Sequence, residues 1–162
     1  MTIPFLVTVA LSQTVLVSRI DLWGGRPDVM LLVVLVWSMV RGMNEGLVWG
    51  LIGGLIMDLI SGGPLGATTL ALLVVAFMAG EPWGLGVGAP VIRLLILTFI
   101  CVITYHLVLL AVLGWTGYAV DWGWALLRVA APSALLNAVL APFVQRPLDW
   151  LERRTRQERF VL

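Results

Sequence analysis

The chain has 162 residues, of which 60% are hydrophobic and 12% are charged, with a formal net charge of +1. Soluble domains carry roughly 25% charged residues, so this composition excludes a water-soluble globule and indicates an integral membrane protein. The near-neutral charge, with no basic patch among aromatic residues, argues against nucleic acid as a partner, and the single cysteine, Cys101, excludes an internal disulfide.

Six apolar segments follow one another along the chain: Ile3 to Val17, Val29 to Val40, Leu47 to Ile60, Leu65 to Ala79, Val91 to Leu113, and Ala125 to Val144. A straight membrane-spanning helix needs roughly 20 residues, and about 17 at the short end. Only the fifth segment has a comfortable spanning length, and the second and third are short. We predict an all-α integral membrane protein, a compact bundle of six transmembrane helices over residues 1–146, with segments two and three buried among the others.

The arginines predict the orientation of this bundle. With both termini on the cytoplasmic side, seven of the ten arginines are cytoplasmic, and Arg19, Arg26 and Arg128 are on the outer side. Residues 147–162 then form a cytoplasmic arginine-rich tail that includes Arg153, Arg154, Arg156 and Arg159. The tail is either an ordinary positive-inside segment, the simpler interpretation, or an interfacial helix on anionic lipid.

Segment three carries the most informative pattern, GLVWGLIGGLIMDLISGGPLG. Gly46, Gly50, Gly54 and Asp58 are spaced four residues apart, and a glycine stripe lets another helix approach closely in lipid. The neighbour is either a helix of the same chain, which is the default, or a partner protein. Asp58 could bind an ion or relay a proton, but its position at a helix end favours capping the following turn or pairing with an arginine.

Charged residues near the other short segment have local explanations. Pro27 and Asp28 predict a helix start, because proline suits the first turn and a carboxylate there faces the positive end of the helix dipole. Arg41 and Glu45, one helical turn apart, are expected to bridge the short connection between segments two and three.

Catalytic equipment is not evident in the sequence. His106 is the only histidine and lies within segment five, where a satisfied structural role is favoured over proton relay. The glycine-rich stretch from Gly80 to Gly88 lacks the lysine that a phosphate-binding loop needs, and zinc-helix and nucleophile-elbow motifs are absent. We therefore expect no enzyme activity, no catalytic residues, no cofactor and no metal.

Several of these residues together resemble the MreD family of rod shape-determining proteins. The resemblance is densest over Pro27 to Gly80 and rests on Pro27-Asp28, Arg41-Gly42, Glu45-Gly46 and the glycine-stepped helix. Above all it rests on the run Asp58-Leu59-x-Ser61-Gly62-x-Pro64-Leu65-Gly66. The length, the six apolar segments and the charged tail agree with that family.

The resemblance implies a multi-pass protein of the bacterial inner membrane, similar in fold to the substrate-binding components of energy-coupling-factor vitamin transporters. It implies a non-catalytic scaffold for cell elongation that binds an MreC-like membrane-anchored partner. Through that partner it is linked indirectly to the MreB filament, the RodA glycosyltransferase and a class B penicillin-binding transpeptidase for sidewall peptidoglycan synthesis.

Two further expectations concern sites. We expect the small-residue groove of segment three, with Pro64, Leu65 and Gly66 at the turn, to accept a helix, either the partner's or one of this chain. The alternative function is a solute-binding transporter subunit, which needs a polar pocket ringed by residues such as Trp37, Tyr105, His106 and Asn137.

Overall fold

The computed structural model describes residues 2–15, 26–81 and 90–157, and these residues form helices and connecting turns without any strand. The first five helices are α1 (Thr2–Val15), α2 (Val29–Arg41), α3 (Met43–Ser61), α4 (Ala67–Gly80) and α5 (Pro90–Trp115). The last helix has three consecutive parts, α6 (Trp122–Ala125), a π-helical turn (Leu126–Ala130) and α7 (Ala131–Gln157). The predicted all-α bundle of six helices is confirmed.

Helix length distinguishes two groups. Met43–Ser61, Pro90–Trp115 and Trp122–Arg154 are long and apolar enough to cross a membrane, whereas Pro4–Thr14, Val29–Arg41 and Ala67–Gly80 are shorter apolar helices. The prediction that segment two is short is confirmed. The same prediction for segment three is wrong, because α3 begins at Met43 and includes Glu45 in its first turn, where a carboxylate favours the helix dipole.

The second helix is the centre of the bundle. Nine consecutive residues of α2, from Met30 to Ser38, are buried, because α3, α4, α7 and α1 all pack against it. A helix that is apolar on every side can lie at the centre of a bundle without burying unpaired polar groups, and α2 has that composition. Its expected burial among the other helices is confirmed.

The third helix has two different faces. Its glycines and Asp58 are buried, while Val48, Leu51, Leu55 and Leu59 on the opposite side are between 45% and 75% exposed. The spacing of three, four and four residues places these large apolar side chains on one stripe. In a chain with three candidate spans, such a stripe meets lipid or another apolar helix.

The last helix continues past two prolines. Pro142 and Pro147 lie inside α7, and Leu148, just beyond the second, is 2% exposed. Proline is tolerated in membrane helices because neighbouring groups satisfy the freed backbone carbonyls. α7 continues as one helix across residue 146. The division into a domain at 1–146 and a tail at 147–162 stays a prediction.

Candidate functional site

Helices α3 and α4 form an antiparallel hairpin with very close backbone approach. A Cβ added at Gly54 would lie 2.4 Å from the Thr69 Cα, and one added at Gly50 would lie 3.1 Å from the Leu72 carbonyl oxygen. At the far end of the hairpin, a Cβ at Gly80 of α4 would lie 2.4 Å from the Met43 Cα. Glycine is required along this contact because the two backbones leave no room for side chains.

A second row of glycines on α3 faces α2. A Cβ added at Gly46 would overlap the Ser38 hydroxyl, with the Ser38 Cβ only 2.7 Å away. About two turns further along α3, a Cβ at Gly53 would lie 2.8 Å from the Met30 sulfur. The single predicted stripe is therefore two contacts, with Gly46 and Gly53 against α2 and Gly50 and Gly54 against α4.

These contacts decide what fills the glycine groove. The occupants are α2 and α4 of the same chain, so the default interpretation of the spacing holds. In this structure a Cβ at Gly46 would meet α2, and one at Gly50 or Gly54 would meet α4. The other interpretation, in which the groove accepts a partner's helix, stays a prediction. Gly53 and Gly80 were not recognised from the sequence as part of this packing. Gly53 lies at helical spacing from the predicted stripe, whereas Gly80 is on α4 and meets α3 only in the folded hairpin.

Asp58 ties the end of α3 to the start of α4. Its Oδ2 accepts hydrogen bonds from the backbone N–H of Gly66 (3.0 Å) and Thr69 (3.1 Å) and from the Thr69 hydroxyl (2.6 Å). Its Oδ1 accepts a hydrogen bond from the Thr68 N–H at 2.8 Å. The side chain is 2% exposed, and it satisfies the free N–H groups at the α4 N-terminus. The structure thus gives Asp58 the capping role rather than a role as an ion ligand.

The turn between α3 and α4 is shaped to deliver those N–H groups. Gly62 and Gly66 have φ of 67° and 94°, in the left-handed region that glycine adopts without strain. The Ser61 hydroxyl donates to the Asp58 carbonyl and accepts from the Gly63 N–H, each at 3.3 Å. Leu65 projects outward and is 75% exposed. The motif from Asp58 to Gly66 is therefore a helix-to-helix connector built around one carboxylate.

Asp28 plays the corresponding part at the start of α2. Its carboxylate accepts hydrogen bonds from the Leu31 N–H and from the Gln13 side-chain amide of α1, both at 3.0 Å. Its own N–H donates to Asn137 of α7 at 2.9 Å. The predicted helix start is confirmed at Asp28, which is the N-cap, while Pro27 precedes the cap instead of lying in the first turn. Three helices thus meet at this residue.

At the opposite end of the bundle, Arg41 links three helices. Its guanidinium lies 3.6 Å from the Glu45 carboxylate of α3, which confirms the expected bridge across the α2–α3 connection. It also lies 3.8 Å from the Glu152 carboxylate of α7 and 5.4 Å from the centre of the Trp37 ring. Trp37 in turn stacks on Trp49 with ring centres 4.1 Å apart. The end of α7 is therefore held against α2 and α3.

The comparisons with known proteins agree with this arrangement of motifs. The model of the family described as "rod shape-determining protein MreD" matches residues 1–153, which is nearly the whole chain. The chain belongs to the MreD family. No curated protein and no solved structure matches it. The MreD membership makes it a rod-shape-determining membrane protein and confirms the resemblance, while the likeness to vitamin-transporter components stays a prediction.

The other residues predicted as sites in this MreD-family chain are His106 and the arginines of the tail. The His106 Nδ1 lies 2.9 Å from the Val102 carbonyl oxygen one turn earlier, so that ring nitrogen is satisfied within α5. Arg153 and Arg154 are exposed on α7, and the Arg154 guanidinium lies 4.3 Å from the Trp150 ring centre. The Arg156 side chain and Arg159 lie outside the described residues. Across residues 2–15, 26–81 and 90–157, no three His, Cys, Asp or Glu side chains come together to hold a metal ion.

A cavity of about 330 Å³ opens above the start of α2. Its lining comes from α1, α2, α5 and the final helix: Gln13, Arg26, Pro27, Asp28, Tyr105, His106, Leu109, Val129 and Ser133. Of the four residues predicted to ring a polar pocket, two line this cavity. Tyr105 and His106 line the cavity. Trp37 is stacked on Trp49 at the other end of the bundle, and Asn137 is hydrogen-bonded to the backbone of Arg26, Asp28 and Ser133.

Proposed function

We propose that this chain is a non-catalytic scaffold of the bacterial cell-elongation machinery. In this proposal it crosses the inner membrane six times, with both termini in the cytoplasm, and binds an MreC-like membrane-anchored protein. That partner connects it to the MreB filament, the RodA glycosyltransferase and a class B penicillin-binding transpeptidase, and so to sidewall peptidoglycan synthesis. Membership in the MreD family over residues 1–153 supports the proposal.

The contacts of the charged side chains inside the bundle support the proposal that the chain is non-catalytic. Asp58 accepts four hydrogen bonds from the start of α4, Asp28 caps α2, and Arg41 joins α2 to α3 and α7. Each of these groups holds two or more helices together. Side chains engaged in this way serve a rigid bundle and are poorly placed to exchange protons with a substrate.

We place the partner's helix on the outer face of α3. Close glycine contacts to α2 and α4 fix the α3 backbone on two sides, so its exposed stripe is presented in one geometry. Val48, Leu51, Leu55 and Leu59 form that stripe, which we call the α3 outer face. Leu65, in the turn that follows α3, is 75% exposed, like Leu59, and adds a large apolar side chain near the Leu59 end of the α3 outer face. A rigid stripe of large residues can interdigitate with a single partner helix.

A pair of tryptophan substitutions tests this placement. Leu55→Trp on the α3 outer face should lower the yield of an MreC-like partner captured in mild detergent by at least about tenfold, because the larger ring blocks close approach. Val139→Trp on α7 is the matched control, since Val139 is 65% exposed and Leu55 is 47% exposed. Both variants should insert and unfold at the wild-type temperature.

The outcomes test separately where the partner binds and whether the chain is a scaffold at all. Loss of capture with Val139→Trp but not with Leu55→Trp would move the partner to α7 and overturn the α3 placement. A chain that captures no MreC-like protein in any form, including wild type co-expressed with it, would overturn the scaffold proposal itself.

The alternative, a solute-binding transporter subunit, has one observation in its favour, the cavity lined by Tyr105 and His106. Purification in native lipid followed by mass spectrometry distinguishes the two functions. A soluble small molecule retained at one copy per chain, together with no captured MreC-like protein, would favour the transporter role.

A further inference from the structure

A cavity lies at the N-terminal end of α2, the central helix of the bundle. α2 has 13 residues and is about 20 Å long, whereas α5 has 26 residues and is about 39 Å long. Residues of α1, α5 and the final helix complete the described lining. The volume, about 330 Å³, is within the range of small-molecule pockets, roughly 300–1,000 Å³.

Among the described residues, the cavity wall carries one charge of each sign. Arg26 and Asp28 both line it, on either side of Pro27. A purely anionic ligand would meet the Asp28 carboxylate, and a purely cationic ligand would meet the Arg26 guanidinium. A group with both charges can place each beside its opposite, so the electrostatics favour a zwitterion.

A hydrogen-bond acceptor and an aromatic ring lie on the α5 side of the cavity. The His106 Nδ1 lies 2.9 Å from the Val102 carbonyl oxygen, and the tautomer that donates there has Nε2 as an acceptor. Tyr105, which is 7% exposed, packs edge-on against that imidazole with ring centres 5.4 Å apart. An imidazole acceptor, a carboxylate and an aromatic ring in one cavity lining suit an ammonium group that still carries N–H donors.

Two apolar residues of the lining lie on the side of the expected lipid interface. Leu109 and Val129 face the cavity from α5 and from the π-helical turn, an element that is frequent at functional sites. Leu109 precedes Trp115 by six residues, about 9 Å along the helix, and Trp115, Tyr118, Trp122 and Trp124 are exposed near that end as aromatic interface residues are. The cavity therefore extends from the interface into the bundle, with polar and apolar walls.

We propose that this cavity binds a phosphoethanolamine group, with its ammonium toward Asp28 and the His106 imidazole and its phosphate toward Arg26. Ethanolamine phospholipids carry this group, and so does free phosphoethanolamine. The apolar wall at Leu109 and Val129 accommodates the first carbons of the lipid glycerol and acyl chains. The site is separate from the α3 outer face and does not depend on the partner.

Short-chain lipids measure the proposed specificity. The full chain in mild detergent is titrated with dihexanoyl phosphatidylethanolamine, phosphatidylcholine and phosphatidylglycerol, and occupancy is read by native mass spectrometry. One molecule of the ethanolamine lipid should bind per chain, at least about tenfold more tightly than the other two. The choline lipid lacks N–H donors for the His106 Nε2, and the glycerol lipid lacks the ammonium altogether. Free phosphoethanolamine in parallel assigns the source: equal affinity indicates a soluble ligand, and much weaker affinity indicates the lipid.

Three variants locate the site. Leu109→Trp fills the cavity and should abolish binding, and His106→Phe, which keeps a ring but removes the acceptor, should weaken it at least about fivefold. Leu107→Trp is the matched control, because Leu107 is 39% exposed and points away from Leu109 on α5. Equal binding of all three lipids, or wild-type affinity in both Leu109→Trp and His106→Phe, would overturn the proposal.

Discussion

Replacing Asp58 by asparagine tests the connector between α3 and α4 most directly. The substitution keeps the shape but leaves one oxygen for four donors. With that oxygen at the Oδ2 position, three hydrogen bonds survive, and the new NH₂ faces the Thr68 N–H that Oδ1 accepted at 2.8 Å. Two opposed, buried donors cost about 1–3 kcal/mol, and losing the charge at a helix N-terminus costs about 1 kcal/mol more. We expect Asp58→Asn to lower the free energy of unfolding by about 2–4 kcal/mol.

The matched control is Asp121→Asn, at the exposed start of α6. The Asp121 carboxylate accepts a hydrogen bond from the Trp124 N–H at 3.0 Å, and asparagine is nearly equivalent to aspartate as an ordinary N-cap. Both variants are unfolded by denaturing detergent in mixed micelles and followed by tryptophan fluorescence. Asp58→Asn should raise the unfolded-to-folded ratio by roughly 30-fold to 1,000-fold, and Asp121→Asn by less than about threefold. Equal effects of the two substitutions would refute the four-donor role of Asp58.

Two other substitutions are tested by the same unfolding assay. Gly54→Ala should lower the free energy of unfolding by about 1–3 kcal/mol, because its Cβ would lie 2.4 Å from a backbone atom of α4. Gly63→Ala is the control and should change it by less than about 0.5 kcal/mol, because the nearest contact of its Cβ would be 3.6 Å away. Similar effects of the two substitutions would contradict the close-packing explanation. Thr98→Val should stabilise the protein by about 1 kcal/mol, because the Thr98 hydroxyl is fully buried and has no hydrogen-bond partner within residues 2–15, 26–81 and 90–157. A loss of more than about 1 kcal/mol would show that the hydroxyl has an essential contact.

Local features of the fold could be predicted from the sequence. The apolar segments gave the helices, since hydrophobicity alone selects the residues that a membrane bundle contains. Asp28 was identified as a helix start and Arg41–Glu45 as a bridge because both depend on residues within one turn of each other. The capping role of Asp58 could also be inferred, because its partners follow directly after the turn it precedes.

Features that depend on the neighbours of a helix were harder to predict. The glycine spacing indicated close packing but could not say that Gly46 and Gly53 meet α2 while Gly50 and Gly54 meet α4. The length of α3 was underestimated because Glu45, taken as part of a connection, is in its first turn. The cavity above α2 is lined by residues of helices that are distant in sequence, so no local pattern signals it.

The two faces of α3 have a common physical origin. Lipid tails are as apolar as leucine, so a membrane helix gains little by hiding large side chains and gains packing contacts where small residues let backbones meet. Glycines on the side facing α2 and α4 therefore bring three helices into one tight unit, and the buried Asp58 fixes the hairpin. The large residues then remain on the outside, on a backbone that cannot shift easily. A scaffold protein needs a surface of this kind, since a partner helix recognises a stripe only when its side chains keep their spacing.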